Sequence, residues 1–161
     1  MGKLSAGQEI RDFSLPCSDG TMVSPLSFRG KWTILYFYPK DDTSGCMKEA
    51  CGFRDSWKEY EKRKVLIYGV SADDTDSHKK FISKYELPFP LLSDSEHDML
   101  EDFGVWQEKS MSGKTYMGIA RMTFVVDPDG RVAKVFDTVK PDEHSAEIHS
   151  YLDVVMANWT L

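Results

Sequence analysis

The sequence predicts an α/β sandwich, one sheet with helices packed on both faces, and three observations carry that prediction. Residues 32–38 (WTILYFY) and 65–71 (VLIYGVS) are apolar or aromatic at nearly every position, as in strands covered on both faces. Charged amphipathic segments alternate with such runs along the chain, the order that gives layered α/β folds. No repeat, low-complexity stretch or long linker interrupts the pattern, so residues 1–161 read as a single domain. A chain of this length buries about two-thirds of its unfolded surface and needs no covalent staples.

Taken in order, residues 13–15 and the turn Ser18-Asp19-Gly20 suggest a short strand, with Met22 and Val23 returning as its partner. Pro39 ends the run 32–38, because proline offers no ladder donor. From Gly45 to about Lys62 the pattern becomes helical, with Ala50, Phe53, Trp57 and Tyr60 at spacings of three and four. Thr43 and Ser44 supply N-cap chemistry just before it. Residues 75–85 form a charged helix carrying Phe81 and Ile82, residues 90–92 a short strand, and residues 96–103 a short helix. The segments 123–126 and 132–136 flank Asp127-Pro128-Asp129-Gly130, a strong hairpin turn. A last helix is expected over about 142–157, with Ile148, Leu152, Val155 and Met156 on one side.

Composition narrows the function classes. The formal net charge of -6 argues against nucleic acid, which demands clustered Lys and Arg. The one basic run, Glu61-Lys62-Arg63-Lys64, reads as a solvated helix end whose cations suit the dipole. No apolar run reaches the roughly 20 residues that span a bilayer, so no membrane role is expected. The first five residues lack the apolar core of a signal peptide. Gly2 does not complete a myristoylation motif, because Ala6 stands where Ser or Thr is required. A cytoplasmic location is therefore expected, and in that compartment the three cysteines suggest chemistry or burial rather than structural bridges.

The loop after the run 32–38 reads Pro39-Lys40-Asp41-Asp42-Thr43-Ser44-Gly45-Cys46. Loops at the carboxyl ends of such strands carry most α/β active sites. Cys46 falls in the first helical turn, where unpaired N–H groups and the positive dipole end favour an anion, here a thiolate. Thr43 can bring its hydroxyl near the sulfur, and Gly45 lets a backbone or a substrate approach closely. Cys51, five residues on, makes neither a zinc half-site nor a Cys-x-x-Cys motif. On an intact helix two residues so spaced have Cα atoms about 8.6 Å apart, beyond the roughly 7 Å limit of a disulfide. If the two cysteines bond, the first turns of the helix must unwind.

The segment Tyr36-Phe37-Tyr38-Pro39-Lys40-Asp41, with Thr43, Gly45, Cys46 and Glu49-Ala50-Cys51-Gly52-Phe53-Arg54-Asp55, resembles the active site of the peroxiredoxins. It is most like their bacterioferritin-comigratory-protein, or Q-type, subfamily. Pro39, Thr43 and Cys46 meet the family pattern Pro-x-x-x-Thr/Ser-x-x-Cys, and residues 118–127, 7–16 and the helix around His144 are similar as well. The resemblance spans nearly the whole chain. It implies a thioredoxin-like fold, a central mixed β-sheet flanked by helices, with an N-terminal β-hairpin extension.

It also implies roles. Cys46 would be the peroxidatic cysteine, attacking a hydroperoxide to give water or an alcohol and a sulfenic acid. Arg121 would be a cation beside the sulfur, Thr43 a partner of sulfur and peroxide, and Pro39 a shield. Backbone N–H groups of Gly45 and Cys46 would complete the substrate site. Cys51 resembles the resolving cysteine, forming a disulfide within the chain that thioredoxin or a similar dithiol reduces. No cofactor or metal is implied, and a monomer is favoured, with a weak dimer as the alternative. Cys17 reads as a bystander. Ser44 replaces a proline common in relatives and suggests a more mobile loop. Asp41 and Asp42 are expected in solvent, and His78, His97, His144 and His149 in exposed segments without a catalytic role. The competing readings are a non-enzymatic redox sensor using the same two cysteines and a thioredoxin-like binding module with a dead site.

Overall fold

The structure, a computed structural model, describes the backbone of residues 4–159 and the side chains of residues 4–157. Gly2, considered above for acylation, lies outside the described residues. In chain order the elements are β1 (Leu15–Pro16), β2 (Met22–Val23), a 3-10 turn (Pro25–Phe28), β3 (Thr33–Phe37), α1 (Ser44–Asp55), α2 (Trp57–Lys62), β4 (Leu66–Ser71) and α3 (Thr75–Tyr85). There follow β5 (Leu91–Ser93), α4 (Asp98–Asp102), β6 (Trp106–Met111), β7 (Lys114–Ile119), β8 (Met122–Val126), β9 (Val132–Phe136) and α5 (His144–Trp159).

The five-stranded sheet has the order β5-β4-β3-β8-β9. Its middle strand β3 is buried at every position, pairing in parallel with β4 and antiparallel with β8. The sheet is therefore mixed, as the resemblance implies. Side chains of β3 point alternately to the two faces. Leu35 and Phe37 join one core with Met99 and Leu100 of α4 and with Phe103, which caps that helix. Ile34 and Tyr36 join the other with Cys46, Ala50 and Phe53 of α1, Phe81 of α3 and Ile148 and Leu152 of α5. β1 and β2 form the expected small antiparallel hairpin.

Two features depart from the expectation. The single helix over 45–62 is two helices, broken at Ser56, whose hydroxyl donates to the Gly52 carbonyl at 3.1 Å and meets Ser145 Oγ at 2.7 Å. A serine bonded back to the preceding turn bends a helix. The second feature is the antiparallel hairpin of β6 and β7, in a segment where no element was expected. Its side chains are mostly exposed on both faces, so no period-2 burial pattern marks it. The local signal is its turn, Ser112-Gly113, both with positive φ (54° and 79°), as a two-residue type I′ turn requires.

Gly69 sits at the centre of this packing. A Cβ there would lie 2.7 Å from Leu91 Cδ2 and 2.7 Å from Tyr36 Cζ. Gly69→Ala should therefore cost about 1–3 kcal/mol through overpacking. A denaturant titration should show a lowered midpoint at unchanged slope; wild-type stability would contradict this account of the core.

Candidate active site

The strand-loop-helix from β3 to α1 builds the site. Beyond β3, the Tyr38 amide donates to the Val70 carbonyl at 3.1 Å, and the chain then leaves the sheet at Pro39. In α1 the Met47 amide donates to the Thr43 carbonyl at 2.8 Å. The amides of Ser44, Gly45 and Cys46 precede that bond in the turn whose N–H groups have no helical partner. Cys46 is 1% exposed. Arg121, between β7 and β8, donates from Nη2 to Cys46 Sγ at 3.3 Å and from Nη1 to Glu49 Oε1 at 2.7 Å. Gly45 makes room for this contact: a Cβ there would lie 2.9 Å from Arg121 Nη2.

The loop over residues 39–43 is held from beneath, which corrects two expectations. Asp41 is buried rather than in solvent. It accepts from Tyr38 Oη at 2.5 Å and Ser77 Oγ at 2.8 Å and faces His78 Nδ1 at 2.7 Å. His78 is fully buried rather than exposed, with Nε2 2.9 Å from the Leu92 carbonyl. Burial is tolerated because every polar atom of the pair has a partner. Asp42 is exposed as expected, with φ of 57°, and binds Lys84 and Tyr85. Asp41, Asp73 and His78 bring ligand-type atoms within 4.8 Å of one another. Those atoms are already engaged, Asp73 Oδ2 by the Asp41 amide and Ser71 Oγ at 2.8 Å each, so the cluster ties the loop to β4 and α3.

Thr43 is the N-cap residue, but its hydroxyl donates to the Lys40 carbonyl at 3.0 Å and makes no side-chain cap. It tightens the loop in this state rather than reaching the sulfur. Cys51 is half-buried on the same unbroken helix as Cys46, and both thiols are free. Burial pushes the Cys51 thiol up. Cys17 is buried away in the opposite core, bridged to Leu92.

Sequence reasoning missed a buried polar group behind Arg121. Glu49 is 1% exposed, and its Oε2 has no hydrogen-bond partner among the described residues. His144, expected in solvent, is 1% exposed. Its Nε2 lies 2.7 Å from Thr123 Oγ1 and 4.0 Å from Glu49 Oε2, and its Nδ1 lies 2.6 Å from Glu147 Oε1. The rings of Phe53 and Phe136 flank it, which explains how a histidine in a charged segment comes to be buried. The available signal was spacing: Glu49 is one turn from Cys46, and His144 and Glu147 are i,i+3 neighbours. Lys109, from the hairpin of β6 and β7, is pushed down by burial and then by the Arg121 charge, so that hairpin adds a cation to the surroundings of the site.

Burial raises Glu49 from 4.5 to about 7, against the opposing pull of Arg121. The folded state thus binds more protons than the unfolded chain between those values, and stability falls as pH rises through that window. The contribution is fully present below about 4.5 and lost as pH passes about 7. Burial lowers His144 and acts in the opposite sense, so the comparison uses two proteins that share it. Relative to Glu49→Gln, the native protein should lose about 3 kcal/mol between about pH 5 and 8. A difference that does not change with pH would contradict the buried, proton-holding Glu49.

Comparison with known proteins agrees with this geometry. The family model described as AhpC/TSA family matches residues 6–135. The chain is 47% identical to the Coxiella burnetii putative peroxiredoxin bcp, covering 90% of this chain and 96% of that protein. It is 44% identical to the Escherichia coli peroxiredoxin Bcp, covering 99% and 97%. Among solved structures, a Xylella fastidiosa PrxQ cysteine-to-serine mutant superposes with TM-score 0.91 at 30% identity, covering 97% of this chain and 99% of that one. A structure of the Xanthomonas campestris bacterioferritin comigratory protein, described for its alkyl peroxide reduction activity, gives TM-score 0.87 at 35% identity, covering 94% and 99%. A family match over most of the chain, with relatives this similar along almost their whole length, leaves one assignment: the chain belongs to the AhpC/TSA family, in its Bcp, or Q-type, peroxiredoxin branch.

Proposed function

We propose that the protein is a thiol peroxidase in which Cys46 reduces hydroperoxides, Cys51 resolves the product and an external dithiol of the thioredoxin type restores both thiols. The observation that carries the reading is the 3.3 Å contact of Arg121 Nη2 with a sulfur in the first turn of a helix. The sulfur thus faces a fixed cation and the positive end of the α1 dipole, the combination that favours a thiolate nucleophile.

In the reaction a sulfur lone pair forms a bond to the terminal peroxide oxygen and the O–O bond breaks. Its electron pair goes to the leaving oxygen, which takes a proton and departs as water or alcohol. Arg121 and the amides of Gly45 and Cys46 donate to the peroxide and to the charge that develops on the leaving oxygen. Pro39, at the strand end, walls the sulfur from bulk water. Thr43 shapes the loop through Lys40 in the resting state, and its hydroxyl turns to the peroxide once substrate arrives. Cys46 is left as a sulfenic acid.

Resolution requires the Cys51 sulfur to reach that sulfenic acid, displacing hydroxide, which leaves as water. With both residues in one continuous helix, their Cα atoms stand about 8.6 Å apart, too far for a disulfide. The first turns of α1 therefore unwind before the bond forms. Unwinding also frees Cys51 from the burial that raises its thiol. A redox sensor would need the two cysteines alone; the half-buried Arg121 and its support by Glu49 favour turnover. The enzyme acts as a monomer in the cytoplasm in this reading.

Peroxide consumption with thioredoxin and its reductase tests the assignment. Cys46→Ser should lose turnover entirely. Cys51→Ser should form one sulfenic acid per chain and then cycle poorly. Retained turnover in Cys46→Ser would sink the peroxidatic role, and normal cycling of Cys51→Ser would move resolution to another thiol.

A further inference from the structure

Glu49 and His144 are buried titratable groups that the proposed chemistry leaves unused. Glu49 Oε1 is bound by Arg121, while Oε2 faces His144 Nε2 at 4.0 Å with no donor of its own among the described residues. An ionised Oε2 without a donor in a buried site is costly. A proton held on this oxygen removes the cost, and the imidazole, whose Nε2 lies 2.7 Å from Thr123 Oγ1, stands next to it on the way to solvent. On its far side His144 meets Glu147, whose side chain is 45% exposed. The chain of groups runs Cys46, Arg121, Glu49, His144, Glu147 and then solvent.

We infer that Glu49 and His144 form a proton store behind Arg121, which gives up one proton as the Cys46 thiolate is consumed and reloads from solvent through Glu147 when the thiolate is restored. The inference rests on the peroxidase reading of Cys46. Its physical basis is charge balance in a buried space. Before attack the group holds a thiolate, the Arg121 cation and a protonated Glu49–His144 pair with neutral imidazole, and is neutral overall. After attack it holds a neutral sulfenic acid, the same cation and an ionised Glu49, and is neutral again. The sulfur gains oxygen and is oxidised, the O–O bond is reduced, and the leaving oxygen takes one proton from solvent while the pair releases one to solvent on the Glu147 side, the two being linked by charge across Arg121 and not by a relay through it. No charge is left uncompensated, which in a low-dielectric site would be expensive.

Burial raises Glu49 to about 7 and lowers His144, so the proton rests on Glu49 and the imidazole beside it stays neutral. The charged and titratable groups that face the pair are Cys46 and Tyr36 from α1 and β3, Arg121 next to β8, and Glu147 on α5 itself. Lys109 from β6 acts on Arg121 and Cys46. Neither Glu49 nor His144 touches the sulfur in the described contacts, so both are positioning residues acting through Arg121.

Proton uptake in a single turnover tests the store. In a Cys51→Ser background, one equivalent of hydrogen peroxide is mixed with lightly buffered protein and a pH-indicator dye. Sulfenic acid is counted by mass after trapping, and the starting thiolate by its ultraviolet absorbance. A thiolate reacting without a store draws one proton from solvent for each sulfenic acid formed. With the store, uptake per thiolate should lie well below one at about pH 6.5 and rise toward one as the pair empties above about pH 8. Glu49→Gln should draw close to one proton at every pH, and His144→Asn should shift the midpoint of the rise, which a purely structural histidine would not do. A value of one throughout in the Cys51→Ser protein would overturn the inference, even if Glu49→Gln fails to fold. So would a rise that survives Glu49→Gln unchanged. Absence of sulfenic acid would remove the peroxidase reading and this inference with it, a failure visible separately from the proton count.

Discussion

Arg121 carries one positive charge and touches two acidic partners, the sulfur of Cys46 at 3.3 Å and the carboxyl of Glu49 at 2.7 Å. The rest of the site can be read as the means of keeping that three-way contact in place. Gly45 leaves room for the guanidinium. The bonds among Tyr38, Asp41, Ser77 and His78 fix the loop that enters α1. Glu49 is one helical turn beyond Cys46, so the geometry of the helix sets both anchors at once. A half-buried cation needs compensation, and here the sulfur faces its charge while the Glu49 carboxyl, which holds its proton far above the usual carboxylate range, supplies an acceptor for its second N–H.

The same helix imposes a conflict. Its first turn supplies the dipole and amides that suit an anion at Cys46, and its continuity keeps Cys46 from Cys51. In the proposed cycle, catalysis needs the turn formed and resolution needs it open. Glu49 lies between the two cysteines, so unwinding also withdraws the carboxyl from Arg121. In that cycle, once the sulfur has reacted with the peroxide, the contact that held the turn in place is weaker by one of its two partners. Activation and release are thereby connected through one side chain.

The strand cores and the reactive loop were legible because their signals are local. Continuous apolar runs mark β3 and β4, a cysteine after a strand and a loop marks the helix N-terminus, and the family pattern brings Pro39, Thr43 and Arg121 to it. What could not be read depends on tertiary contacts. His144 and His78 sit among charged neighbours in sequence, yet fold onto Phe53, Phe136 and Asp41, which no local pattern reveals. Asp41 looked like a solvent charge because its partners Ser77 and His78 lie more than thirty residues away. The hairpin of β6 and β7 has no buried face to leave a period in the sequence. The exchange of Thr43's expected contact for the Lys40 carbonyl is a choice between two nearby acceptors, which spacing alone cannot decide.

The claim on which the account rests is that the helix must open for the two cysteines to meet. Amide hydrogen exchange across residues 45–52, compared between the reduced protein and the protein carrying a Cys46–Cys51 disulfide, tests it directly. The account predicts strong loss of protection in that segment on oxidation, with β3 and β8 still protected. A verified Cys46–Cys51 disulfide with undiminished protection over the same segment would contradict it.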